Sequence, residues 1–422
     1  MKTEFHRIKR LPSYVFAEVN AMKAKARAAG EDIIDLGMGN PDLPTPQHII
    51  DKLCEVAQDP KAHRYSASQG IKGLRRAFVN YYERRFGVSL DMNKEVCVTL
   101  GSKEGLANLA SAITSPGDII LSPNPAYPIH PFGFIIADGS VRYLPFEPNE
   151  EFLKALERAV LYTQPKPVAL ILNYPSNPTA MVASLEFYEQ VVDFCRHHEI
   201  WILSDLAYAE IYFDIDPPPS VLQVKGAKDI AIEFTSMSKT YSMAGWRVGF
   251  AAGNPVLMNA LIRIKSYLDY GAYTPIQVAA AAALNGPQDC IAETRAIYKE
   301  RRDVLIEGLA QAQWHVPVPQ ASMFAWAPIP EPFRHLGALE FSKLLLTEAG
   351  VAVAPGTGFG ENGEGYVRIA MVENKHRIRQ AVRSIKTFMG NAGAAIAAAE
   401  KKSAVNALDS KGGGPLSRAV AS

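Results

Sequence analysis

Short apolar segments alternate with stretches of helical spacing through the middle of this 422-residue chain. Helical spacing is clear at 104–113 and 185–198. The segments between them are continuous apolar runs bounded by Gly, Pro or polar residues, a pattern typical of strands buried on both faces. This order predicts an α/β fold, with a mostly parallel or mixed sheet between helices. The predicted strands lie at 95–100, 118–122, 168–172, 201–205, 229–235 and 248–252.

The length of the chain favours two domains over a single core. A long polar–apolar pattern at 289–312 predicts a helix that joins them. The sequence predicts a large domain at 48–290 and a smaller α+β domain formed by 1–47 and 291–390. The Ala- and Gly-rich segment 391–422 is predicted to be a disordered tail. Within the smaller domain, helices and strands are predicted at 341–349, 351–354, 366–370 and 375–389.

Charge and composition exclude several classes of function. The net charge is +1, from 44 basic and 43 acidic residues, so neither nucleic acid nor an anionic membrane is an expected partner. No apolar run approaches the ~18 residues needed to span a bilayer, and no apolar stretch follows the basic N-terminus. We expect a cytoplasmic protein. No metal site is predicted, because no C-x-x-C pair occurs among Cys54, Cys97, Cys195 and Cys290.

Lys239 has surroundings that no other lysine in the chain shares. It ends the run Ser-Met-Ser-Lys, with hydroxyl groups at Ser236 and Ser238, and Arg247 follows eight positions later. Lysine can form an imine because its pKa falls readily on burial. Hydroxyl groups and a guanidinium are suitable donors to a phosphate dianion. The set therefore points to pyridoxal phosphate, although an isolated motif of this kind is more often a surface turn.

Further candidates follow predicted strands, where ligands bind in open α/β sheets. Asp205 ends the 201–205 strand, and a carboxylate there could stabilise a protonated pyridine nitrogen. Tyr208 and Asn177 could donate to the phenolic oxygen of the cofactor. Taken singly, each of these residues is as well explained as a turn, cap or core residue.

Five more residues complete the predicted set. Ser102 and Lys103 follow Gly101 at a helix start, where backbone N–H groups can bind an anion. Tyr127, in a proline-rich loop, could stack on a pyridine ring. Arg368 lies in an apolar strand and needs a partner, which a substrate carboxylate or a salt bridge would supply. Tyr65 is ambiguous from the sequence alone.

Together these motifs resemble those of the aspartate aminotransferase family, the class I/II, fold-type-I pyridoxal phosphate enzymes. The resemblance covers about residues 5 to 390 and includes the Gly-Met-Gly-Asn-Pro-Asp run at 37–42. Several local stretches are similar to the bacterial alanine transaminase branch, which is close to LL-diaminopimelate aminotransferases. These stretches are 101–105, 125–130, 242–247 and 273–277.

The resemblance implies a role for each candidate. Lys239 would hold the cofactor as an imine and then move the proton in the 1,3-shift. Asp205 would pair with the pyridinium, Asn177 and Tyr208 would bond the phenolic oxygen, and Tyr127 would stack on the ring. The residues around the phosphate would be Ser102, Lys103, Ser236, Ser238 and Arg247, with Tyr65 reaching the neighbouring subunit of a homodimer. Those at the substrate α-carboxylate would be Arg368 and Asn177, with Gly39 close by.

The substrate follows less directly from these residues. Aspartate aminotransferases use a second arginine, from the partner subunit, for the distal carboxylate, and the stretch 269–274, which should lie near that region, has none. Lys103 could bind that carboxylate in glutamate or 2-oxoglutarate. A site lined by Tyr270 and Tyr127 suits a small amino acid, so the sequence predicts an alanine transaminase that works by ping-pong half-reactions.

Four alternatives stay open at this point. Three share the fold: transamination of aspartate, transamination of LL-diaminopimelate, and β-elimination. The fourth is a regulatory protein that binds pyridoxal phosphate without catalysis. Regulators built on this fold usually carry an added basic DNA-binding domain, and no such segment precedes residue 12.

Overall fold

The computed structural model describes residues 3–12 and 15–391. The predicted disordered tail therefore lies outside the described residues, apart from Asn391. In the described ranges, no helix is both long and apolar enough to cross a membrane.

The helices and strands have the following bounds. The helices are α1 (His6–Lys9), α2 (Phe16–Ala28), α3 (Gln47–Ala57), α4 (Lys72–Phe86), α5 (Ser102–Ile113), α6 (Ile129–Ile136), α7 (Glu150–Tyr162), α8 (Leu185–His197), α9 (Met237–Thr240), α10 (Pro255–Leu268), α11 (Thr274–Asn285), α12 (Asp289–Gln311), α13 (Gly337–Ala349) and α14 (Lys375–Gly390). The strands are β1 (Ile34–Asp35), β2 (Val96–Thr99), β3 (Ile119–Pro123), β4 (Ser140–Leu144), β5 (Ala169–Leu172), β6 (Trp201–Asp205), β7 (Ala231–Ser236), β8 (Gly249–Gly253), β9 (Phe324–Pro328), β10 (Val351–Ala352), β11 (Ala354–Pro355) and β12 (Tyr366–Ala370).

A seven-stranded sheet forms the centre of the larger part, in the order β2-β8-β7-β6-β5-β3-β4. Its neighbouring strands are parallel except β8, which runs antiparallel to β2 and β7. All six strands predicted in this region are present, and the α/β class is confirmed. The sequence analysis missed β4, because this edge strand is polar and largely exposed and lacks the apolar signal of a central strand.

Helices cover both faces of this sheet. Alternate residues of one strand enter different hydrophobic clusters: Leu170 and Leu172 pack in one, while Ala169 and Ile171 pack in the other. Helices α4, α7, α8 and α11 contribute to the first cluster, and α5, α6 and α10 to the second. Each central strand is thus buried on both sides, which explains its continuous apolar sequence.

The remaining strands form two small sheets. Strands β11, β12 and β9 make an antiparallel sheet, and β1 pairs in parallel with β10. The strand predicted at 351–354 is in fact two strands, β10 and β11, that belong to different sheets. β9 was not predicted, since its sequence Phe-Ala-Trp-Ala-Pro lacks β-branched residues. A separate cluster on α12, α13 and α14 supports these sheets, and the domain boundaries given above remain a prediction.

Candidate active site

A cavity of about 470 Å³ lies where β5, β6 and β7 end and α5 begins. This position agrees with the rule that ligands bind beyond the carboxyl ends of parallel strands. The sequence-predicted residues that line the cavity are Gly39, Ser102, Lys103, Tyr127, Asn177, Asp205, Tyr208, Ser236, Ser238, Lys239, Arg247 and Arg368. Tyr65 does not line it, and neither does Tyr270, which was also expected near the substrate.

The amine of Lys239 points into this cavity from the short helix α9. Its Nζ donates a hydrogen bond to the carbonyl oxygen of Gly39 at 2.9 Å. Burial, together with the positive charges of Arg368 and Arg247, lowers the pKa of Lys239 to about 8. A substantial fraction of this lysine is therefore neutral, and hence nucleophilic, at mildly alkaline pH.

Arg247 and the start of α5, two of the predicted phosphate-binding elements, meet at the wall of the cavity. Gly101 has φ of +85°, a conformation that glycine tolerates, and Ser102 begins α5 immediately after it. Arg247 donates to the carbonyl oxygens of Ala244 at 2.8 Å and Leu100 at 3.1 Å. A Cβ at Gly101 would lie 2.1 Å from Nη2 of Arg247, so only glycine allows this approach.

Asp205 has a buried partner that the sequence analysis missed. Nε2 of His130 lies 2.9 Å from Oδ2 of Asp205, and both side chains are buried. The other carboxylate oxygen accepts the backbone N–H of Ala207 at 3.2 Å. These bonds hold the carboxylate at the cavity wall. His130 lies within the 125–130 stretch that was recognised, but only the packing of α6 on the sheet brings it to Asp205.

Arg368 is buried and is held by several contacts. It donates to Oδ1 of Asn177 at 2.8 Å and to the carbonyl oxygen of Gly37 at 3.0 Å. Its guanidinium also lies over two rings, with 4.1 Å to the centroid of Phe324 and 4.6 Å to that of Phe359. Planar stacking and fixed hydrogen bonds orient such a group for two-pronged recognition of a carboxylate.

Two tyrosines line the cavity near Lys239. Burial raises the pKa of Tyr208, so its hydroxyl stays protonated and can donate a hydrogen bond. The centroid of its ring lies 6.0 Å from Nζ of Lys239. Tyr127 lies edge-on to His130, with centroids 5.7 Å apart, and Nζ of Lys103 lies 5.8 Å from the Tyr127 centroid.

Tyr65 and Tyr270 lie together on the surface, outside the cavity. They are 86% and 64% exposed, and their ring centroids are 4.7 Å apart. Within one chain, Tyr270 therefore does not line the cavity that contains Tyr127, and a contribution of Tyr270 to the site of a neighbouring subunit stays a prediction. Gly271, with φ of +79°, packs against the backbone of Ala67 in this loop.

Several lining residues were not predicted, chiefly apolar ones. Aromatic and apolar side chains carry no chemical signature in a sequence, because most such residues pack in cores. Position along the small sheet is the only signal that could have found Phe324, which lies opposite Ala370 in the register. The cavity residues in question include Phe16, Phe324 and Phe359.

The sequence model described as "Aminotransferase class I and II" matches residues 31–385. The chain belongs to this family of transferases. Enzymes of the family use pyridoxal 5'-phosphate and move an amino group between an amino acid and a 2-oxo acid. The family model covers the whole cavity wall except Phe16.

Curated relatives match almost the full length of the chain. AatC of Rhizobium meliloti (strain 1021) is 66% identical over 389 residues, 92% of this chain and 96% of the relative. The glutamate-pyruvate aminotransferase AlaC of Escherichia coli (strain K12) is 53% identical, with 91% and 93% covered. An LL-diaminopimelate aminotransferase of Moorella thermoacetica is 42% identical, with 92% and 98% covered.

Solved structures have the same fold. Substrate-bound BacF from Bacillus subtilis superposes with a TM-score of 0.87 at 34% identity, and the match covers 92% of this chain and 98% of that chain. This aminotransferase therefore has the fold-type-I architecture that the sequence predicted.

The cavity has the donor set that pyridoxal phosphate requires. Lys239 supplies an amine whose pKa is lowered, and Asp205 supplies a buried carboxylate. Tyr208 supplies a phenol that stays protonated. Gly101 keeps Arg247 close to the start of α5, which leaves hydroxyl, guanidinium and N–H donors for a phosphate at the same end. The residues present fit the cofactor.

Proposed function

We propose that this aminotransferase transfers the amino group between alanine and 2-oxoglutarate, with pyruvate and glutamate as products. The observation that carries the proposal is the distribution of cations in the cavity wall: among the described residues these are Lys103, Lys239, Arg247 and Arg368. Arg247 lies at the phosphate end, Arg368 suits the α-carboxylate, and Lys239 is the reacting amine. Lys103, which would lie beside the phosphate as well, is the cation of this set that could also bind a distal carboxylate.

Lys103 suits a substrate pair in which only one partner is dicarboxylic. Its ammonium is a flexible point charge on an exposed side chain, whereas an arginine would demand a planar carboxylate in a fixed place. Glutamate could use this charge, and alanine would leave it in solvent. The 53% identity to a glutamate-pyruvate aminotransferase supports the same choice.

We assign the remaining chemistry to residues at the cavity wall. The cofactor, when bound, supplies an electron sink. Lys239 would take the α-proton of the substrate and return it two bonds away, as a 1,3-shift requires. Asp205, held by His130, would stabilise the protonated pyridine nitrogen of the cofactor. Tyr208 would donate a hydrogen bond from its protonated phenol. Arg368 would orient the α-carboxylate from its stack between Phe324 and Phe359.

The other predicted residues of the cavity wall have proposed roles in binding the substrate and the cofactor. Gly39 and Asn177 would flank the substrate α-carboxylate, and Asn177 would also reach the phenolic oxygen. Tyr127 would stack on the pyridine ring. The residues proposed to surround the phosphate are Ser102, Lys103, Ser236, Ser238 and Arg247.

We also propose a homodimer with shared sites. The surface around Tyr65 and Tyr270 is rich in exposed aromatic and apolar side chains, including Tyr267 and Leu268 at the end of α10. A monomer seldom leaves such a patch in solvent. In the dimer, Tyr65 would reach the phosphate of the neighbouring subunit. A cytoplasmic location remains part of this proposal.

Single half-reactions test the substrate assignment. Each amino acid is mixed with the cofactor-loaded enzyme, and the change of the cofactor spectrum is followed in a stopped-flow instrument. We expect alanine and glutamate to react with kcat/KM values at least about tenfold above those for aspartate and LL-diaminopimelate, a difference of about 1.4 kcal/mol. Faster reaction with aspartate or LL-diaminopimelate would overturn the alanine assignment and leave the transaminase intact.

LL-Diaminopimelate is the second candidate, because relatives of that name match over nine-tenths of the chain. The same experiment separates the two. Pyruvate release from a β-substituted amino acid, without an added 2-oxo acid, would instead favour β-elimination.

A further inference from the structure

Lys265 is a fully buried lysine that the proposed chemistry does not use. It lies on α10, with none of its side chain exposed, and it forms two short ion pairs. Its Nζ lies 2.9 Å from Oε1 of Glu104 and 2.8 Å from Oδ2 of Asp269. A charge this deeply buried is costly unless it is paired, so both carboxylates are needed where they are.

One of these carboxylates leads to the phosphate end of the cavity. The second oxygen of Glu104 accepts the backbone N–H of Leu100 at 2.8 Å. The carbonyl oxygen of Leu100 accepts Nη2 of Arg247 at 3.1 Å. A continuous chain of polar contacts therefore runs from Lys265 through Glu104 and Leu100 to Arg247.

The other carboxylate leads to the surface that carries Tyr270. Oδ1 of Asp269 accepts the backbone N–H of Gly271 at 2.6 Å, and its carbonyl oxygen accepts Oγ of Ser68. Gly271 in turn packs on the backbone of Ala67. Asp269 thus joins the loop of Tyr270 to the segment that follows Tyr65.

The charge balance of the cluster depends on Lys265. Burial alone would lower the pKa of this lysine, but hydrogen bonds and charge from Asp269 and Glu104 outweigh that effect and raise the pKa. The ammonium therefore keeps its proton at neutral pH. Without it, two carboxylates would be left near each other in a largely buried place, and at least one would move or become protonated.

We propose that Lys265 is a positioning residue that holds the phosphate-binding turn at 100–102 in place and ties it to the Tyr65–Tyr270 surface. Oε1 of Glu104 accepts from Lys265 and from the side-chain amide of Asn108, so removal of Lys265 takes away its one charged donor and leaves Glu104 less firmly placed to order Leu100. The turn and Arg247 lose their fixed relation, so the site binds a phosphate dianion less tightly. Groups that hold the ring of the cofactor, such as Asp205, lie outside this chain of contacts and are unaffected.

This inference rests on the phosphate role proposed above for Ser102 and Arg247. Comparison of pyridoxal phosphate with unphosphorylated pyridoxal isolates that role, because the two ligands share every group except the phosphate. Apoprotein is prepared from the full chain, and the affinity for each ligand is measured from the absorbance of the lysine-bound form. Ser102 and Arg247 together are called the phosphate cradle, and Arg247→Ala tests this cradle directly.

We expect Lys265→Met to raise the dissociation constant of pyridoxal phosphate about tenfold or more, the scale of a lost hydrogen bond to a charged group. The affinity for pyridoxal should change less than about twofold. Glu104→Gln keeps an acceptor for Leu100 and is the milder variant if Lys265→Met folds poorly, with the same selectivity expected at a smaller size. Arg263→Met, an exposed position on the same helix, is the matched control.

The outcomes separate the two proposals. Unchanged phosphate affinity in Lys265→Met and Glu104→Gln, with a selective loss in Arg247→Ala, would overturn the role of Lys265 and leave the cradle standing. Equal losses of affinity for both ligands in the Lys265 and Glu104 variants would mean that these contacts only stabilise the fold, and would overturn the proposed role of Lys265. No selective loss in any variant, Arg247→Ala included, would refute the cradle.

Discussion

The amine of Lys239 is tuned by burial first and by the charges of Arg368 and Arg247 second. All three effects disfavour the ammonium form, and together they bring the pKa to about 8 from the 10.5 of an exposed lysine. The same two arginines are the groups proposed to bind the substrate carboxylate and the cofactor phosphate. The residues that would recognise anions therefore also prepare the nucleophile.

This tuning gives a prediction about pH. The rate at which apoprotein takes up pyridoxal phosphate should rise about tenfold per pH unit below 8 and level off above it, because only the neutral amine attacks. Arg368→Gln removes one positive charge, so it should raise the pKa of Lys239 and move the midpoint to higher pH. Stopped-flow absorbance measures both.

Two variants serve as controls for the pH experiment. Lys239→Ala should take up no cofactor covalently at any pH, whereas Lys225→Ala, an exposed lysine away from the cavity, should match the parent protein. A midpoint near 10.5 in the parent protein would contradict the proposed tuning.

At the scale of elements, the loop at 37–45 bridges the two parts of the molecule. On one side, Gly39 accepts from Lys239, and Thr45 donates to the carbonyl oxygen of Ser242 at 2.8 Å. On the other side, Asp42 forms a two-pronged ion pair with Arg301 of α12, with both distances 2.7 Å. The loop is thus tied to the nucleophile at one end and to the long helix at the other.

Asp42→Asn should therefore weaken substrate binding more than turnover. The amide keeps the shape of the side chain but loses the charge-assisted bond to Arg301, so the loop over the cavity becomes less ordered. We expect KM for alanine to rise about fivefold, the equivalent of about 1 kcal/mol for a partly exposed pair, with kcat changed less than about twofold.

Steady-state kinetics measure this split. Asp51→Asn, on the exposed face of α3, is the matched control and should leave both constants unchanged. A fall in kcat with KM unchanged would mean that the ion pair acts on the chemical step instead.

At the scale of the whole molecule, one surface stands out by its exposed aromatic residues. Tyr65, Tyr267 and Tyr270 are 86%, 84% and 64% exposed, and Leu268 between them is 63% exposed. Lys265, three residues before Leu268, connects this surface to the phosphate-binding turn. Cofactor binding and subunit contact would therefore be linked if the surface is the dimer interface.

Leu268→Asp tests the interface. Burial of an unpaired carboxylate costs upward of about 2 kcal/mol, so the dissociation constant of the dimer should rise at least about thirtyfold. Sedimentation velocity across a range of concentrations measures the shift. Val256→Asp introduces the same carboxylate at an apolar residue of similar exposure at the other end of α10, and it should leave the assembly unaltered. A parent protein that sediments as a monomer at all concentrations would refute the dimer.

Local pattern was sufficient for much of the site. Lys239, Asp205 and Arg247 were predicted because each sits in a distinctive run of residue types, and the ends of parallel strands necessarily share one edge of a sheet. The central strands were predicted for a similar reason, because a strand that is buried on both faces has a continuous apolar sequence. β4 and β9 lack that signal, and both were missed.

Contacts between distant segments were decided only by the tertiary structure. His130 meets Asp205 across 75 positions, and Lys265 meets Glu104 across 161. No local pattern marks such pairs. A buried polar group needs a partner, but the tertiary packing determines which side chain that partner is. The sequence by itself determined the cofactor chemistry and the fold class; the packed structure decided which residues hold that chemistry in position.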